Sequence, residues 1–215
     1  WNAVNLGIPS GISDDSTFLT VLPLFHTAGL NCNANPTFHA GGQVIIARTF
    51  DPAQALSLIG DVSVGITHFF GVPAVYMFMA QQPQFAQTDL TRLEMAGVGG
   101  APISTALIEA WTTRGVKLQQ GYGMTETSPS VMFLKADDCE RKIGSAGKPV
   151  LHNEVRVVTD EGQDAEPGKV GELWVKGPNI TPGYWNKPEE TAAVLTDGWL
   201  HTGDAARIDE DGYYF

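Results

Sequence analysis

Cysteine is scarce in these 215 residues, which hold only Cys32 and Cys139. Two thiols build no disulfide framework, so they read as reduced side chains of a cytosolic protein. Long hydrophobic runs are missing too. None approaches the ~20 residues needed to cross a bilayer, which argues against an integral membrane segment. No secretory signal opens the chain, which begins abruptly at Trp1 in a helix-like stretch, so the expected location is cytoplasmic. Positive charge is the third shortage: 13 Lys and Arg face 24 Asp and Glu, a formal net charge of −11. That balance argues against nucleic acid or an anionic membrane surface as the main partner. No internal repeat or low-complexity tract is visible. Two familiar catalytic signatures are also missing. Ile143 stands where a G-x-S-x-G elbow needs its first glycine, and Pro149 follows Gly147-Lys148 where a Walker A loop needs Ser or Thr. His26, Cys32 and His39 form no convincing metal set.

What remains is a globular composition, 43% hydrophobic and 17% charged. A chain of this length buries roughly 70% of the surface its unfolded form exposes, enough for one or two cores. Residues 1–80 carry five charges, Asp14, Asp15, Arg48, Asp51 and Asp61. Charge that sparse fits strands covered on both faces. Short apolar runs at 17–22, 43–47, 66–70, 93–98 and 116–120 alternate with helical patterns at 27–38, 52–59, 73–81 and 104–113. Asp51 before Pro52, and Ser104, supply helix caps. The alternation predicts an α/β fold, a doubly wound parallel sheet with flanking helices. Beyond residue 135 the texture turns to charge, glycine and short β segments at 154–159, 171–176 and 207–215, with one helix at 188–195. The expected division is an α/β unit at 1–135 followed by a small β-barrel-like unit at 136–215.

The stretch after the run at 116–120 is Gly121-Tyr122-Gly123-Met124-Thr125-Glu126. Its glycines let backbone approach a ligand closely. Tyr122 offers an aromatic face on which a nucleobase can stack, Thr125 a hydroxyl for phosphate, and Glu126 a hard oxygen for Mg²⁺. Together these suggest an ATP site, whereas GYG alone is better read as an ordinary strand-to-loop turn. Gly99-Gly100-Ala101-Pro102 closes another strand-like run, where doubly wound folds bind ligands; it serves equally as a tight strand-to-helix turn. Asp204, after Gly203, offers two acceptor oxygens for vicinal ribose hydroxyls, or a simple turn. His26 ends an apolar strand, a place where a histidine is usually structural. Asp209, Glu210 and Asp211 read as a solvated turn.

The longer string Gly121 to Pro129, GYGMTETSP, closely resembles the adenine- and magnesium-binding segment of the adenylate-forming superfamily, which includes acyl-CoA synthetases. Four further segments match that family in order: Leu22-Pro23-Leu24-Phe25-His26; Gly99-Gly100-Ala101-Pro102; Gly171-Glu172-Leu173 with Gly183-Tyr184-Trp185-Asn186; and Thr202-Gly203-Asp204. The resemblance implies an enzyme that joins a carboxylic acid to AMP from ATP and hands the acyl group to CoA. It assigns nucleotide binding to Gly100, Ala101, Pro102, Gly121, Tyr122, Gly123, Met124, Thr125 and Asp204, and Mg²⁺ to Glu126. Thr125, Glu126 and His26 take the catalytic positions, His26 positioning the acid. The acyl group falls to Phe25, His26, Thr27, Leu30, Gly71, Val72, Val98, Gly99 and Gly121. These are mostly small or aliphatic, which favours a fatty acid over an aryl acid or an amino acid.

The same resemblance also answers a charge problem. ATP and CoA are anionic, yet no Lys or Arg lies between Lys117 and Lys135. Family members carry a phosphate loop ending in Lys upstream of these motifs. Downstream they carry a ribose-contacting Arg and a C-terminal lid with a catalytic Lys. The expectation is therefore an internal stretch of a longer enzyme, with the lid absent. A rival from another class is a non-catalytic nucleotide-binding module.

Overall fold

A computed structural model describes all 215 residues, leaving aside the side chain of Asn33. Its larger sheet is built from β1 (Thr17–Thr20), β2 (Gln43–Ile46), β3 (His68–Gly71), β4 (Met95–Val98), β5 (Leu118–Gly123), β6 (Ser130–Phe133) and β7 (Lys148–Pro149). The spatial order is β2-β1-β3-β4-β5-β6-β7. The first five strands are parallel, and β6 and β7 then continue the sheet antiparallel. The order reverses at β1, as expected of a doubly wound sheet. Its helices are α1 (Asn2–Gly7), α2 (Thr27–Gly29), α3 (Asn35–Ala40), α4 (Pro52–Gly60), α5 (Pro73–Ala80) and α6 (Thr105–Thr112). Two begin as their sequences dictate. The Asp51 carboxylate accepts the Gln54 N–H at 2.7 Å, and the Ser104 hydroxyl accepts the Leu107 N–H at 3.3 Å.

The central parallel strands β1, β3 and β4 bury both faces, so their apolar runs are continuous rather than alternating, while edge strand β2 stays partly exposed. Phe69, Tyr76, Met79, Trp111 and Leu118 lie in one buried core with α4, α5 and α6 packed over it. Phe69, Tyr76 and Trp111 meet edge to face, with centroids 5.5 and 5.0 Å apart. The polar ends are satisfied: Tyr76 donates to the Gly97 carbonyl at 2.9 Å, and the Trp111 indole donates to the Tyr76 carbonyl at 3.2 Å.

The second sheet holds β8 (Glu154–Val158), β9 (Val170–Lys176), β10 (Leu195–Thr196) and β11 (Trp199–Arg207), with α7 (Pro188–Val194) between β9 and β10. All its pairings are antiparallel, in the order β10-β11-β9-β8. It curls into half a barrel. Val157, Leu173, Val175 and Ala206 cover Val131 and Met132 of the larger sheet. No helix among the described residues is long and apolar enough to cross a membrane.

Three local expectations change. The helix expected over 27–38 is interrupted by a wide turn at Leu30–Ala34, where the Asn35 N–H reaches the Leu30 carbonyl five residues back. Pro36, which follows, has no N–H with which to continue a regular ladder, so the wider turn absorbs the break. The strand expected over 207–215 begins earlier, at Trp199, and carries Asp204 in its interior. Residues 207–215 fold back instead, with Arg207 and Phe215 exchanging backbone hydrogen bonds of 3.0 and 2.9 Å. The acidic turn is also not merely solvated. Lys142 bridges Asp209 at 2.6 Å and Asp211 at 2.7 Å.

Candidate functional site

At the C-terminal ends of the parallel strands lies a cavity of about 430 Å³, the place where open α/β sheets gather ligands. One side is His26, Thr27 and Ala28, where the chain leaves β1, together with Cys32. The floor is Phe70 near the end of β3, Val72 just after it, and Gly99 and Gly100 after β4. The far side is Gly121 through Glu126, backed by Pro129, Ser130, Met132 and Phe133.

The Gly121–Glu126 wall is rigid for steric reasons. A methyl group on Gly123 would stand 1.8 Å from the Pro129 carbonyl oxygen, so only glycine lets β5 pass β6 there. The Thr127 hydroxyl accepts the Met124 N–H at 3.0 Å, closing the short helical turn that bears Thr125 and Glu126. Asn179, from the second sheet's side, donates to the carbonyls of Thr127 and Ser130, the latter at 3.1 Å. The Thr181 N–H donates to the Glu126 carbonyl at 2.7 Å.

Two tyrosine hydroxyls then meet two carboxylates. Tyr122 donates to Asp204 Oδ2 at 2.5 Å, joining the larger sheet to β11. Tyr184 donates to Glu126 Oε1 at 2.8 Å. Burial chiefly, and then the hydrogen bond to Asp204, hold the Tyr122 phenol well above its ordinary pKa, so it stays a donor. His26 caps α2, its Nδ1 accepting the Ala28 N–H at 3.0 Å. In the neutral ring the proton then sits on Nε2, leaving that atom a donor.

Of the residues singled out from sequence, His26, Thr27, Val72, Gly99, Gly100, Gly121, Tyr122, Gly123, Met124, Thr125 and Glu126 share this cavity wall. The wall does not include Phe25, Leu30, Gly71, Val98, Ala101, Pro102 or Asp204. Phe25 is 94% exposed beside the turn at Pro23, and Leu30 lies on the wide turn, also exposed. Val98 points into the core under the sheet. Gly71 would press a side chain onto Val75, so it serves packing at the head of α5. Ala101 and Pro102 are exposed in the loop before α6. Asp204 joins the site through Tyr122. Conversely, Cys32, Phe70 and Phe133 line the cavity without any signal in their local sequence. Tyr184 lies in the Gly183–Asn186 motif, whose sequence points to no role for it. The walls contain a single carboxylate, that of Glu126, and no Lys or Arg among the described residues.

Residues 1–185 match the family model of the AMP-binding enzyme. The chain belongs to the AMP-binding enzyme family. It is 42% identical over 214 residues to a feruloyl-CoA synthase of an Amycolatopsis species, covering 100% of this chain and 43% of that protein. It is 40% identical over 213 residues to an indoleacetate–CoA ligase of Aromatoleum aromaticum, covering 99% and 41%. The crystal structure of ATP-bound MatB from Rhodopseudomonas palustris superposes with a TM-score of 0.91 at 31% identity, over 99% of this chain and 42% of that one. The chain thus spans less than half the length of the curated relatives it matches. The α/β sheet followed by a curled β sheet is the architecture of the family's N-terminal part.

Proposed function

We propose that this chain forms the nucleotide- and acid-binding part of an AMP-forming acyl-CoA ligase. In the first half-reaction a carboxylate oxygen attacks the α-phosphorus of ATP, forming an acyl-adenylate and releasing pyrophosphate. In the second, the CoA thiol attacks the acyl carbonyl, loses its proton and expels AMP. The observation that carries this reading is the meeting of Tyr122, Asp204 and Glu126. Tyr122 and Glu126 face one cavity, and Asp204 is tied to the Tyr122 hydroxyl at 2.5 Å. A purine on the Tyr122 ring puts its ribose hydroxyls toward Asp204 and its phosphates toward Thr125.

Mg²⁺ fits the donor chemistry. It is held by one or two carboxylates plus substrate phosphates rather than by an all-protein cage. Glu126 supplies one such carboxylate, beside the Thr125 hydroxyl. No group of three His, Cys, Asp or Glu that could form an all-protein cage gathers among the described residues. When bound, the ion offsets phosphate charge that these walls, without Lys or Arg, leave unmatched. Glu126 would anchor it while Thr125 orients the α-phosphate, catalysis here being mainly positioning and charge stabilisation. His26 would hold the acid carboxylate from Nε2.

The acid is hydrophobic and carries no second charge, since Phe70, Val72, Met124 and Phe133 face the cavity without a cation. We favour an aryl acid. Two flat rings, Phe70 and Phe133, wall the cavity, and the relatives at 42% and 40% identity are named for aromatic acids. A fatty acid is the second reading, supported by the aliphatic Val72 and Met124. The test is pyrophosphate release by the full-length protein across a panel of aryl and alkyl acids. Hydroxylamine trapping reports the adenylate, and added CoA the thioester. No acid-dependent pyrophosphate release from any member would overturn the ligase reading.

A further inference from the structure

We propose, resting on the nucleotide reading above, that Glu172 is the positioning residue that presents Asp204 to the ribose. On β11 and β9, His201 pairs with Trp174 and Ala205 pairs with Glu172. Three residues of β11, Thr202, Gly203 and Asp204, therefore stand opposite one residue of β9, Leu173. Such a bulge re-aims a side chain and takes its own amides out of the ladder. Those amides need other acceptors.

Glu172 supplies one. Its Oε1 accepts the Gly203 N–H at 3.0 Å, on a residue whose φ of +74° only glycine adopts readily. Its Oε2 accepts the Trp174 indole N–H at 2.7 Å, so the carboxylate is fixed at both oxygens. Trp174 is in turn stacked on His201, with ring centroids 3.9 Å apart and 12° between planes. Two further contacts hold the bulge from β9 and from within. The Thr202 hydroxyl donates to the Leu173 carbonyl at 2.7 Å, and the Asp204 N–H donates to that hydroxyl at 3.1 Å. Gly203 and Asp204 are exposed, so burial does not hold them. Glu172 is the side chain of β9 that accepts directly from the bulge backbone, at Gly203, one residue before Asp204.

The experiment compares ATP with 2′-deoxy-ATP in acid-dependent pyrophosphate exchange by the full-length protein and its Glu172→Ala, Glu172→Gln and Asp204→Ala variants. Glu172→Ala should raise the KM for ATP roughly tenfold, the scale of a lost hydrogen bond to a charged group. It should leave the KM for the acid within about twofold and narrow the preference for ATP over its 2′-deoxy analogue. Glu172→Gln keeps one acceptor oxygen and loses the other, so it should fall between wild type and Ala. It also serves as the readout if Glu172→Ala fails to fold. Undiminished preference for ATP in the Glu172 variants, with Asp204→Ala losing it, overturns this inference and leaves the site reading standing. Undiminished preference in Asp204→Ala overturns the ribose assignment itself, and the role of Glu172 with it. KM values for ATP and acid that rise together in Glu172→Gln would mark a merely structural contact and also overturn the proposal.

Discussion

Glu126 stands in the cavity wall and Asp204 on a bulge beside it, tied to it through Tyr122, and different forces hold them. The Glu126 wall is set by burial. Thr127, Pro129 and Ser130 are buried, and Asn179 and Asn153 satisfy the carbonyls there while Asn2 accepts the Ser130 N–H at 3.1 Å. The Asn5 amide ties Asn153 and Asn179 together at 3.0 and 3.4 Å. The Asp204 bulge is exposed, and single side-chain hydrogen bonds keep its shape. A buried polar network fails expensively when a partner is lost, whereas an exposed clamp loosens locally. Damage to the wall should therefore appear as lost folding, and damage to the bulge as lost nucleotide affinity.

That contrast is open to breaking, starting from its largest expected effect. Glu126→Ala in the full-length protein should lower acid-dependent pyrophosphate release by roughly a hundredfold or more, the scale of removing a metal anchor. Its melting temperature should hardly move, because the side chain's one contact is with the partly exposed Tyr184. A large thermal loss in a calorimetric scan would show that the carboxylate is structural. Gly123→Ala works the other way. With a methyl forced toward the Pro129 carbonyl, it should cost about 3 kcal/mol of stability in denaturant unfolding.

Tyr122→Phe sharpens the comparison. It keeps the stacking face, deletes the hydroxyl that meets Asp204, and should raise the KM for ATP roughly three- to tenfold with kcat nearly unchanged. A drop in kcat with KM unchanged would mean the hydroxyl acts on the reacting atoms. The last effect concerns pH and is confined to alkaline solution. Burial pushes the Cys32 and Cys139 thiols up from 9.0 to about 12. A folded-state pKa raised in this way contributes stability in full below pH 9, which is lost as pH rises from about 9 toward 12. Chemical unfolding of wild type and of the Cys32→Ser, Cys139→Ser pair should therefore converge above pH 9. Parallel curves would exclude the thiols as the cause.

The parts legible from sequence are those encoded locally. The alternation of apolar runs with capped helices announces the parallel sheet, because a strand buried on both faces must be apolar throughout. Gly121 to Glu126 stands out because a loop built to touch a ligand needs glycine, an aromatic ring and hard oxygens side by side. β6 escapes notice because Ser130–Phe133 follows directly on the Pro129 turn that closes the Gly121–Pro129 motif. β11 is misplaced for a related reason. Thr202-Gly203-Asp204 looks like a turn, and it lies within a strand because a side chain of β9, Glu172, replaces the missing ladder partner.

The sequence by itself determined the order of the elements, the family's motifs and the chemistry each motif can offer, since all of these depend on neighbours a few residues apart. Tertiary structure decided which of them meet. Tyr122 reaches Asp204 across 82 positions and Tyr184 reaches Glu126 across 58. No local preference encodes such a contact. It follows from the curled sheet burying Leu173 and Val175 against Val131 and Met132, which sets Asp204 beside Tyr122 and Tyr184 beside Glu126.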